Sequence, residues 1–438
     1  MNGRATSAIM TAAQATVEAL RLLDVGRVFG LPGIQNIELF DALKNAPLPL
    51  PWTPENVPHA ILDILRGCNI RCRDCYNLQP DYIKPLAEID AQLDALAHLR
   101  KLQSISIVGG EPILHPDLVE IVRRIRGRRL FVELFTNGVD LNDQLLTELK
   151  RAGTNVIFLH IEPNQRRPDL SAEASTEDLQ RLRMEKAALI AGHEIEVGLA
   201  VTAYPDKPAE TEEAVRFALN SPHVCYLLVT WWRDVNRMPP IRGNLGNGMF
   251  AQSNGTRQLI LSDEVRTRES CQTLQEKFEL NPFACLGSNL DATDPRWMSF
   301  MVGAVHQGKN LSCYHSLNPT WLERAFLGLS RLMTGRYPFY QPQQAGLFSV
   351  HLLLNGLAGG RLGGNLKLLA YASRPGARLR AKRLLFQRPA AFDKQGRVVH
   401  CQPCPDAVVK DGHLVPLCIS DRVVNRILTD GRVLEEVS

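Results

Sequence analysis

The stretch that decides the fold is HAILDILRGCNIRCRDCY, residues 59–76, in which a short apolar run leads directly into three cysteines. The run has the length and the apolar content of a buried β-strand. Five more runs of this kind follow, and amphipathic stretches of helical period separate them. The predicted strands are 59–65, 104–108, 130–135, 156–160, 196–202 and 224–230, and the predicted helices between them are 86–102, 116–126, 142–152, 176–191 and 208–220.

This alternation predicts an α/β fold. Repeated strand–helix units with right-handed crossovers form a parallel sheet, and six of them curl into a partial (β/α)6 barrel similar to a TIM barrel. Functional loops of such barrels lie at the carboxyl ends of the strands. Because Cys68, Cys72 and Cys75 follow the first strand, we expect the chemistry of the protein there.

Length and composition exclude several classes of protein. The chain has 438 residues, of which 45% are hydrophobic and 22% charged, with a formal net charge of +4. These values are typical of a globular protein and give no reason to expect a nucleic-acid partner. The sequence contains neither a membrane-spanning apolar run nor a secretory signal pattern, so we expect a cytoplasmic protein. Ten cysteines then indicate metal ligands or core thiols rather than disulfides.

The spacing of the first three cysteines is C-x3-C-x2-C. A short loop of this kind can bring three thiolates to three irons of one cluster, which leaves the fourth iron open to a small molecule. The alternative is a zinc knuckle. Structural zinc normally takes four protein ligands, and no fourth cysteine or histidine lies in the loop. The pattern therefore favours an iron–sulfur cluster at Cys68, Cys72 and Cys75.

Two further motifs extend this pattern. GGEP (109–112) follows the second predicted strand, and TNG (136–138) follows the third. With the cysteines, they make residues 59–233 resemble the radical S-adenosylmethionine (SAM) superfamily. The resemblance implies a 4Fe-4S cluster that binds SAM and cleaves it reductively to a 5'-deoxyadenosyl radical, with electrons from a ferredoxin or flavodoxin. It also implies that the GGEP segment contacts the amino group of SAM.

The resemblance and the strand-end positions together define candidate cofactor contacts. Many family members carry an aromatic residue near the adenine, just before the third cysteine; here Asp74 stands there and Tyr76 follows the cysteine. His160 and Glu162 lie at the end of the fourth predicted strand, where side chains of a barrel face its ligands. The candidate cofactor-binding residues are therefore Tyr76, Gly109, Gly110, Glu111, Pro112, Asn137, His160 and Glu162.

A second group of cysteines lies near the carboxyl end of the sequence. Cys401 and Cys404 form a CQPC knuckle, and Cys418 follows across a predicted hairpin, 407–417, that turns at Asp411-Gly412. The group is similar to the auxiliary-cluster extensions of many radical SAM enzymes, although its spacing differs from the seven-cysteine SPASM pattern. A zinc or iron site that only ties down this region is the alternative. The candidates for a fourth ligand are Cys313, Cys285, Cys271 and His400, of which Cys313 is included in the predicted metal set.

The region 322–388 carries eleven Lys or Arg residues and one acid, Glu323. We interpret its leucine-rich segments, including 347–354 and 378–386, as helices that either form an ordinary subdomain with a solvated basic face or lie peripherally on an anionic membrane. Together with the apolar segment that holds Trp297, Met298, Phe300 and Met301, this region suggests a lipid-like substrate.

The sequence ahead of the barrel has a different character. Residues 10–43 resemble the opening of the pyrimidine-binding domain of thiamine-diphosphate enzymes, but the match stops before the activating glutamate of that family. The predicted organisation is an N-terminal segment (1–48), a proline-rich linker (49–58), the radical SAM core (59–235), a helical or irregular basic and apolar extension (236–398) and a metal-binding hairpin region (399–438).

Three functional hypotheses follow. The first is a radical SAM enzyme that functionalises a C–H bond of an unidentified, lipid-like substrate. The second is a peptide- or cofactor-maturing radical SAM enzyme with an auxiliary cluster. The third is a non-enzymatic iron–sulfur or zinc scaffold.

Overall fold

The computed structural model describes residues 47–421 and 423–424, except for 74, 76, 78–80, 164, 172, 234–240, 243–266, 292–293, 341–342 and 393–396. The segment 10–43, which resembles thiamine-diphosphate enzymes, therefore lies outside the described residues, and so does Tyr76. The side chain of Cys271 lies outside them as well.

The described chain alternates strands and helices. The strands are β1 (Leu48–Pro49), β2 (His59–Asp63), β3 (Arg71–Cys72), β4 (Ser104–Val108), β5 (Phe131–Thr136), β6 (Val156–His160), β7 (Gln165–Arg166), β8 (Glu196–Ala203), β9 (Val224–Trp231), β10 (Ile241–Arg242), β11 (Ala284–Leu286), β12 (Trp297–Gln307), β13 (Asn310–Ser316), β14 (Ala377–Gln387), β15 (Ala391–Phe392), β16 (Val398–Val399), β17 (Ala407–Lys410), β18 (His413–Pro416) and β19 (Val423–Val424). The helices are α1 (Leu86–Leu99), α2 (Leu118–Gly127), α3 (Asp143–Ala152), α4 (Thr176–Gly192), α5 (Pro208–Asn220), α6 (Thr267–Phe278), α7 (Trp321–Thr334), α8 (Ala345–Leu357), α9 (Leu362–Ala372) and α10 (Leu417–Ser420), with a 3-10 turn at Pro112–Leu114.

Six parallel strands form the predicted partial barrel. They stand in the order β9-β8-β6-β5-β4-β2, and every neighbouring pair is parallel. The apolar runs read from the sequence are these strands, and helices α1 to α5 connect them as predicted. Inward side chains of the strands and the apolar faces of the helices form the main hydrophobic core. The partial (β/α)6 fold is therefore confirmed, with β2 at its edge.

The sheet continues beyond the sixth strand. β14 pairs parallel with β9, from Arg383 opposite Tyr226 to Gln387 opposite Thr230. The prediction that residues 378–386 are helical is therefore wrong. Alternate residues Lys382, Leu384 and Phe386 are buried, which is the two-residue period of a strand whose partner lies far away in the sequence.

The buried cation of this strand has a structural role. Lys382 Nζ donates hydrogen bonds to the carbonyls of Ala218 (2.7 Å), Ser221 (2.6 Å) and Val224 (2.9 Å), at the end of α5 and the start of β9. A cation at this position pairs with carbonyls that α5 leaves without a partner, and the negative end of the α5 dipole stabilises its charge. Burial lowers the pKa of Lys382 to about 7. Lys382 is therefore a core residue and not part of a solvated basic face.

A further extension, antiparallel except at β1, completes the sheet. β12 pairs with β14, β13 and β11, and β1 joins β11. Trp297, Met298 and Phe300 of β12 are buried in this sheet, so they pack in the core. Phe348 and Leu352 of α8 cover the extension. Among the described residues, no helix combines the length and the apolar character needed to cross a bilayer.

Candidate functional site

The cysteine loop begins where β2 ends. Cys68 and Cys75 are exposed and Cys72 is partly buried; Cys72 on β3 stands opposite Gln165 on β7. Partial burial raises the pKa of Cys68 and of Cys75; Cys72 and Cys75 raise that of Cys68 further, and Cys72 raises that of Cys75. The three thiols thus lie within electrostatic reach of one another, and soft donors so arranged fit an iron–sulfur cluster. Asp74 and Tyr76 lie outside the described residues.

Gly109 and Gly110 press against the start of this loop. The Gly110 amide donates to the Leu65 carbonyl (2.9 Å), and the Glu111 amide donates to the Gly67 carbonyl (2.8 Å). A Cβ at position 109 would lie 2.3 Å from the Leu65 oxygen, and one at 110 would lie 2.1 Å from the Gly67 oxygen. The family resemblance implies a contact between the GGEP segment and SAM, and in this structure the two glycines approach the backbone of the protein's own cysteine loop.

Glu111 connects the second and third strand ends. Its side chain is buried and accepts hydrogen bonds from Thr136 Oγ1 (2.7 Å) and the Asn137 amide (2.7 Å). Burial raises the pKa of Glu111. The Asn137 side chain in turn donates to Asn69 Oδ1 (2.6 Å) and lies 4.0 Å from Cys68 Sγ. GGEP, TNG and the cysteine loop therefore meet in one network.

Pro112 is buried and opens the short 3-10 turn that follows Glu111. The Ile113 amide of this turn donates to Glu111 Oε1 at 3.2 Å. The GGEP segment is thereby fixed at both ends, by the cysteine loop before it and by the turn after it.

His160 and Glu162 also lie beside the cysteines. His160 Nε2 is 3.3 Å from Glu162 Oε1, and His160 Nδ1 is 3.1 Å from Gln165 Nε2. Burial lowers the pKa of His160, but Glu162 and the neighbouring Cys72 outweigh it and hold that pKa well above its usual value. Glu162 also accepts from the amide of Thr202, so it links the ends of β6 and β8.

Arg167 also belongs to this network, although no motif in the sequence marks it. Its buried guanidinium donates to the carbonyl of Asn137 (2.9 Å), to Gln165 Oε1 (2.9 Å) and to the Asp169 carboxylate (2.6 Å). It thus ties the third strand end to the loop after the fourth. An Arg-Arg-Pro-Asp sequence after a strand carries no local signal for this role, because the partner loop lies about thirty residues earlier.

The barrel interior holds a second polar network that the sequence does not reveal. His59 Nδ1 lies 2.8 Å from Ser104 Oγ, and Ser106 Oγ lies 3.2 Å from His59 Nε2 and donates to Glu133 Oε2 (2.9 Å). Burial raises the pKa of Glu133 to about 7 and lowers that of His59 to about 3. These residues lie at the beginning or in the middle of β2, β4 and β5. They are therefore away from the strand ends that carry the cysteine loop.

The distal cysteines come together around the predicted hairpin. Asp411 (φ 48°) and Gly412 (φ 75°) turn the chain between β17 and β18, as expected for a two-residue turn. A hydrogen bond with Cys401, in which the Cys404 thiol keeps its proton, and then burial hold the pKa of Cys404 well above its usual value, and Cys418 adds to the effect. The structure thus brings these three thiols near one another.

Cys313 lies apart from this group. It stands opposite Val305, near the last residues of β12. Cys401 forms a bridge with Ser288, which lies close to Trp297, the first residue of β12. Eight strand residues separate those two points, or about 26 Å. Cys313 packs instead in the core beneath α8 and α9.

His400 is much nearer to the thiols. Its Nδ1 lies 2.8 Å from the Cys401 carbonyl, and its buried Nε2 has no hydrogen-bond partner among the described residues. Arg296 acts electrostatically on both His400 and Cys418. Among the described residues, no group of three His, Cys, Asp or Glu side chains has an arrangement that could hold a metal ion.

The carboxyl-terminal cysteine region docks on the edge of the barrel next to the first cysteine loop. Arg66, two residues before Cys68, makes a two-point ion pair with Asp421 (3.1 and 3.2 Å). Arg233 donates to the carbonyl of Cys418, and Arg100 donates to the carbonyl of Cys404 (2.7 Å). The region therefore covers the edge strand β2 and reaches the strand ends.

An α/β barrel with a cysteine triplet at the end of its first strand defines a class of metal-cluster enzyme. Residues 62–218 match the family model described as Radical SAM superfamily, so this part of the chain is a radical SAM domain. A domain of this family implies a 4Fe-4S cluster and SAM as cofactors.

Individual relatives match only in part. The "Tungsten-containing aldehyde ferredoxin oxidoreductase cofactor-modifying protein" of Pyrococcus furiosus is 23% identical over 36% of this chain and 47% of its own length. The "PqqA peptide cyclase" of Gluconobacter oxydans is 35% identical over 23% of this chain and 29% of its own length. The chain spans less than half of either relative. Among solved structures, SuiB of Streptococcus suis bound to S-adenosylmethionine is 14% identical, with a TM-score of 0.34 over 51% of this chain and 52% of that one.

Proposed function

We propose that this protein cleaves SAM at a 4Fe-4S cluster held by Cys68, Cys72 and Cys75, and that the resulting 5'-deoxyadenosyl radical abstracts hydrogen from a C–H bond of a substrate. The observation that supports this most strongly is the network of Glu111 and Asn137, which joins the cysteine loop to the GGEP and TNG segments. The cofactor supplies the radical chemistry, and the protein holds the reacting groups.

The roles of the chain's own residues follow from their contacts. Gly109 and Gly110 seat the cysteine loop against the second strand end, because only glycine leaves room for the backbone contact. Glu111 accepts from the backbone N–H of Asn137 and so fixes this residue, whose side-chain amide lies beside Cys68. In this proposal, the segment from Gly109 to Pro112 meets the amino group of SAM, and the buried carboxylate of Glu111 favours that positive charge.

His160, Glu162 and Tyr76 complete the proposed cofactor site. His160 and Glu162 form a pair beside Cys72 at the end of the fourth barrel strand, where barrel enzymes place ligand contacts. Tyr76 follows the third cysteine and is proposed as the adenine contact on the basis of the family resemblance alone.

We also propose an auxiliary iron–sulfur site at Cys401, Cys404 and Cys418 with His400 as the fourth ligand. Metal-bound histidines commonly use one ring nitrogen for the metal while the other donates to a carbonyl. His400 is arranged in this way, with Nδ1 at the Cys401 carbonyl and a buried Nε2 free among the described residues. The distance along β12 argues against Cys313, the fourth ligand that the sequence suggested.

Two substrate classes remain as proposals. The names of the curated relatives include a cofactor-modifying protein, a peptide cyclase and a heme synthase, and they favour a peptide or a cofactor precursor. The lipid-like alternative has lost its sequence support at Trp297, Met298 and Phe300, since these side chains are core residues. A low-potential reductant such as ferredoxin or flavodoxin, and a peripheral contact with a membrane through α7 to α9, belong to the same proposal.

The central test is anaerobic reconstitution with iron and sulfide, followed by reduction and measurement of 5'-deoxyadenosine from SAM. We expect turnover in the wild type and in Cys313→Ala, the control, and none in Cys72→Ala. Absence of 5'-deoxyadenosine from reconstituted wild type would favour the scaffold hypothesis.

Iron analysis tests the auxiliary site. We expect about eight irons per wild-type chain and about four in Cys401→Ala/Cys404→Ala. His400→Ala should change the spectrum of the second cluster and leave that of the first intact. About four irons in the wild type would refute the auxiliary cluster, and about one zinc would support the tethering alternative.

A further inference from the structure

Exposed apolar side chains are concentrated on one part of the surface. Among the described residues, fifteen large hydrophobic side chains are exposed, and twelve of them lie on α7, α8 and α9. The exposed fraction reaches 83% at Leu332, 75% at Met333 and 73% at Leu357. A patch of this density is unusual for a free surface in water and marks an interaction site. We call it the α7–α9 face.

Three polar residues of the same helices are buried: Glu323, Asn355 and Asn365. Asn355 and Asn365 are fully buried, and Asn365 Nδ2 donates to the Leu352 carbonyl (2.8 Å). Glu323 is buried and accepts from His351 Nε2 (2.8 Å) and Asn355 Nδ2 (2.9 Å). Helices that bury these three polar residues and expose leucines are arranged for contact with an apolar environment.

The charges on this face have one sign. Glu323 is the single acid between residues 321 and 374, and it is buried. Six cations in that span are exposed: Arg324, Arg331, Arg336, Arg361, Lys367 and Arg374. Apolar side chains bordered by cations alone match the acyl and phosphate layers of an anionic bilayer.

We propose that the α7–α9 face rests on the surface of an anionic membrane, which gives a location to the peripheral contact included in the proposed function. A two-fold contact between two copies of the face would place six cations against six cations, with no exposed acid to pair with them, so charge disfavours a dimer here. Because no described helix can span a bilayer, the contact is interfacial: the leucines enter the acyl boundary and the cations meet the phosphates.

The test is cosedimentation of the full chain with vesicles of phosphatidylcholine alone or of phosphatidylcholine with about one third phosphatidylglycerol. We expect binding to the anionic vesicles, weakening with added salt, and little binding to the neutral ones. Leu332→Glu/Met333→Glu should weaken binding at least a hundredfold, since each exposed side chain loses its burial and gains a repelled charge. Each neutralised cation, such as Arg324→Gln, should weaken it about fivefold.

The matched control is Arg151→Ala/Arg181→Ala, which removes the same two units of charge from exposed positions on α3 and α4. We expect its affinity to stay within about twofold of the wild type. Equal loss in both double variants would show that only net charge matters and would overturn the proposal for this face. Binding that ignores lipid charge, or no binding at all, would also overturn it.

Sedimentation velocity without vesicles addresses a second copy as the occupant. A dimer that Leu332→Glu/Met333→Glu splits, with no vesicle binding by either protein, would make the face a subunit interface and refute membrane contact. The membrane proposal and the catalytic proposal can fail independently. Without vesicles, 5'-deoxyadenosine formation should be equal in the wild type and in Leu332→Glu/Met333→Glu. Vesicle binding without 5'-deoxyadenosine would remove the proposed chemistry and leave the membrane contact standing.

Discussion

Gly110→Ala is the substitution for which the structure makes the sharpest prediction. The new Cβ would lie 2.1 Å from the Gly67 oxygen and 2.5 Å from the Arg66 oxygen, although real Cβ contacts are essentially never shorter than 3.0 Å. Because both neighbours are backbone atoms, no side-chain rotation relieves the clash. The cysteine loop must therefore retreat by about 0.9 Å or more.

That displacement breaks the contact between the loop and the second strand end. The two hydrogen bonds there are 2.9 and 2.8 Å long, and lengthening by this amount takes both beyond hydrogen-bond range. The loss of two such bonds is worth about 2 kcal/mol locally. Cys68 follows Gly67 directly, so we expect several-fold lower iron content and, because a misplacement of about 1 Å can cost about a hundredfold in rate, at least tenfold less 5'-deoxyadenosine.

Gly127→Ala is the matched control. Nothing lies within 4 Å of the Cβ position at Gly127 on α2, and alanine favours a helix over glycine by up to about 1 kcal/mol. This variant should keep wild-type iron content and turnover. Both proteins would be compared after anaerobic reconstitution by iron analysis, visible absorption and chromatography of 5'-deoxyadenosine. Wild-type iron and turnover in Gly110→Ala would refute the argument that this contact positions the cysteine loop.

Three further predictions concern stability. Lys382→Met should lower the free energy of unfolding in denaturant titrations by about 3 kcal/mol, because three buried carbonyls lose their donor. The control is Arg378→Met, at an exposed position on the same strand, which should change this free energy by less than about 0.5 kcal/mol. Similar losses in both variants would contradict a buried ammonium at Lys382. Glu133 has a pKa of about 7 in the folded protein, above its unfolded value, so the folded state binds the extra proton and stability is lost as pH rises from about 4.5 to 7. Relative to Glu133→Gln, the wild type should lose about 3 kcal/mol over that range, and a constant difference would refute the shift. Asp421→Asn should weaken the half-buried pair with Arg66 by about 1 to 2 kcal/mol, measured as faster amide exchange in α10; unchanged exchange would show that the pair does not hold this segment.

Local signals were sufficient for the core of the fold. The six barrel strands and the five helices between them were predictable because apolar runs and helical periods are properties of consecutive residues. The Asp411-Gly412 turn was predictable for the same reason, since positive φ at both positions is a local preference. The cysteine spacing also indicated the cluster loop without knowledge of any distant contact.

Long-range pairing decided what the sequence could not. Residues 378–386 carry cations and leucines that also suit a helix, and only the pairing of β14 with β9, more than 150 residues earlier, makes them a strand and buries Lys382. For the same reason, the glycines of GGEP were identified as important, but their contact with Leu65 and Gly67 was not.

The sequence by itself determined the class of chemistry, because the three cysteines and the barrel strand before them are adjacent in the chain. Tertiary structure alone decided how the site is assembled: it separates Cys313 from the distal thiols, brings His400 to them, and joins Asp421 to Arg66 across 355 residues. Such contacts depend on packing between elements that are remote in sequence, and no local pattern encodes them.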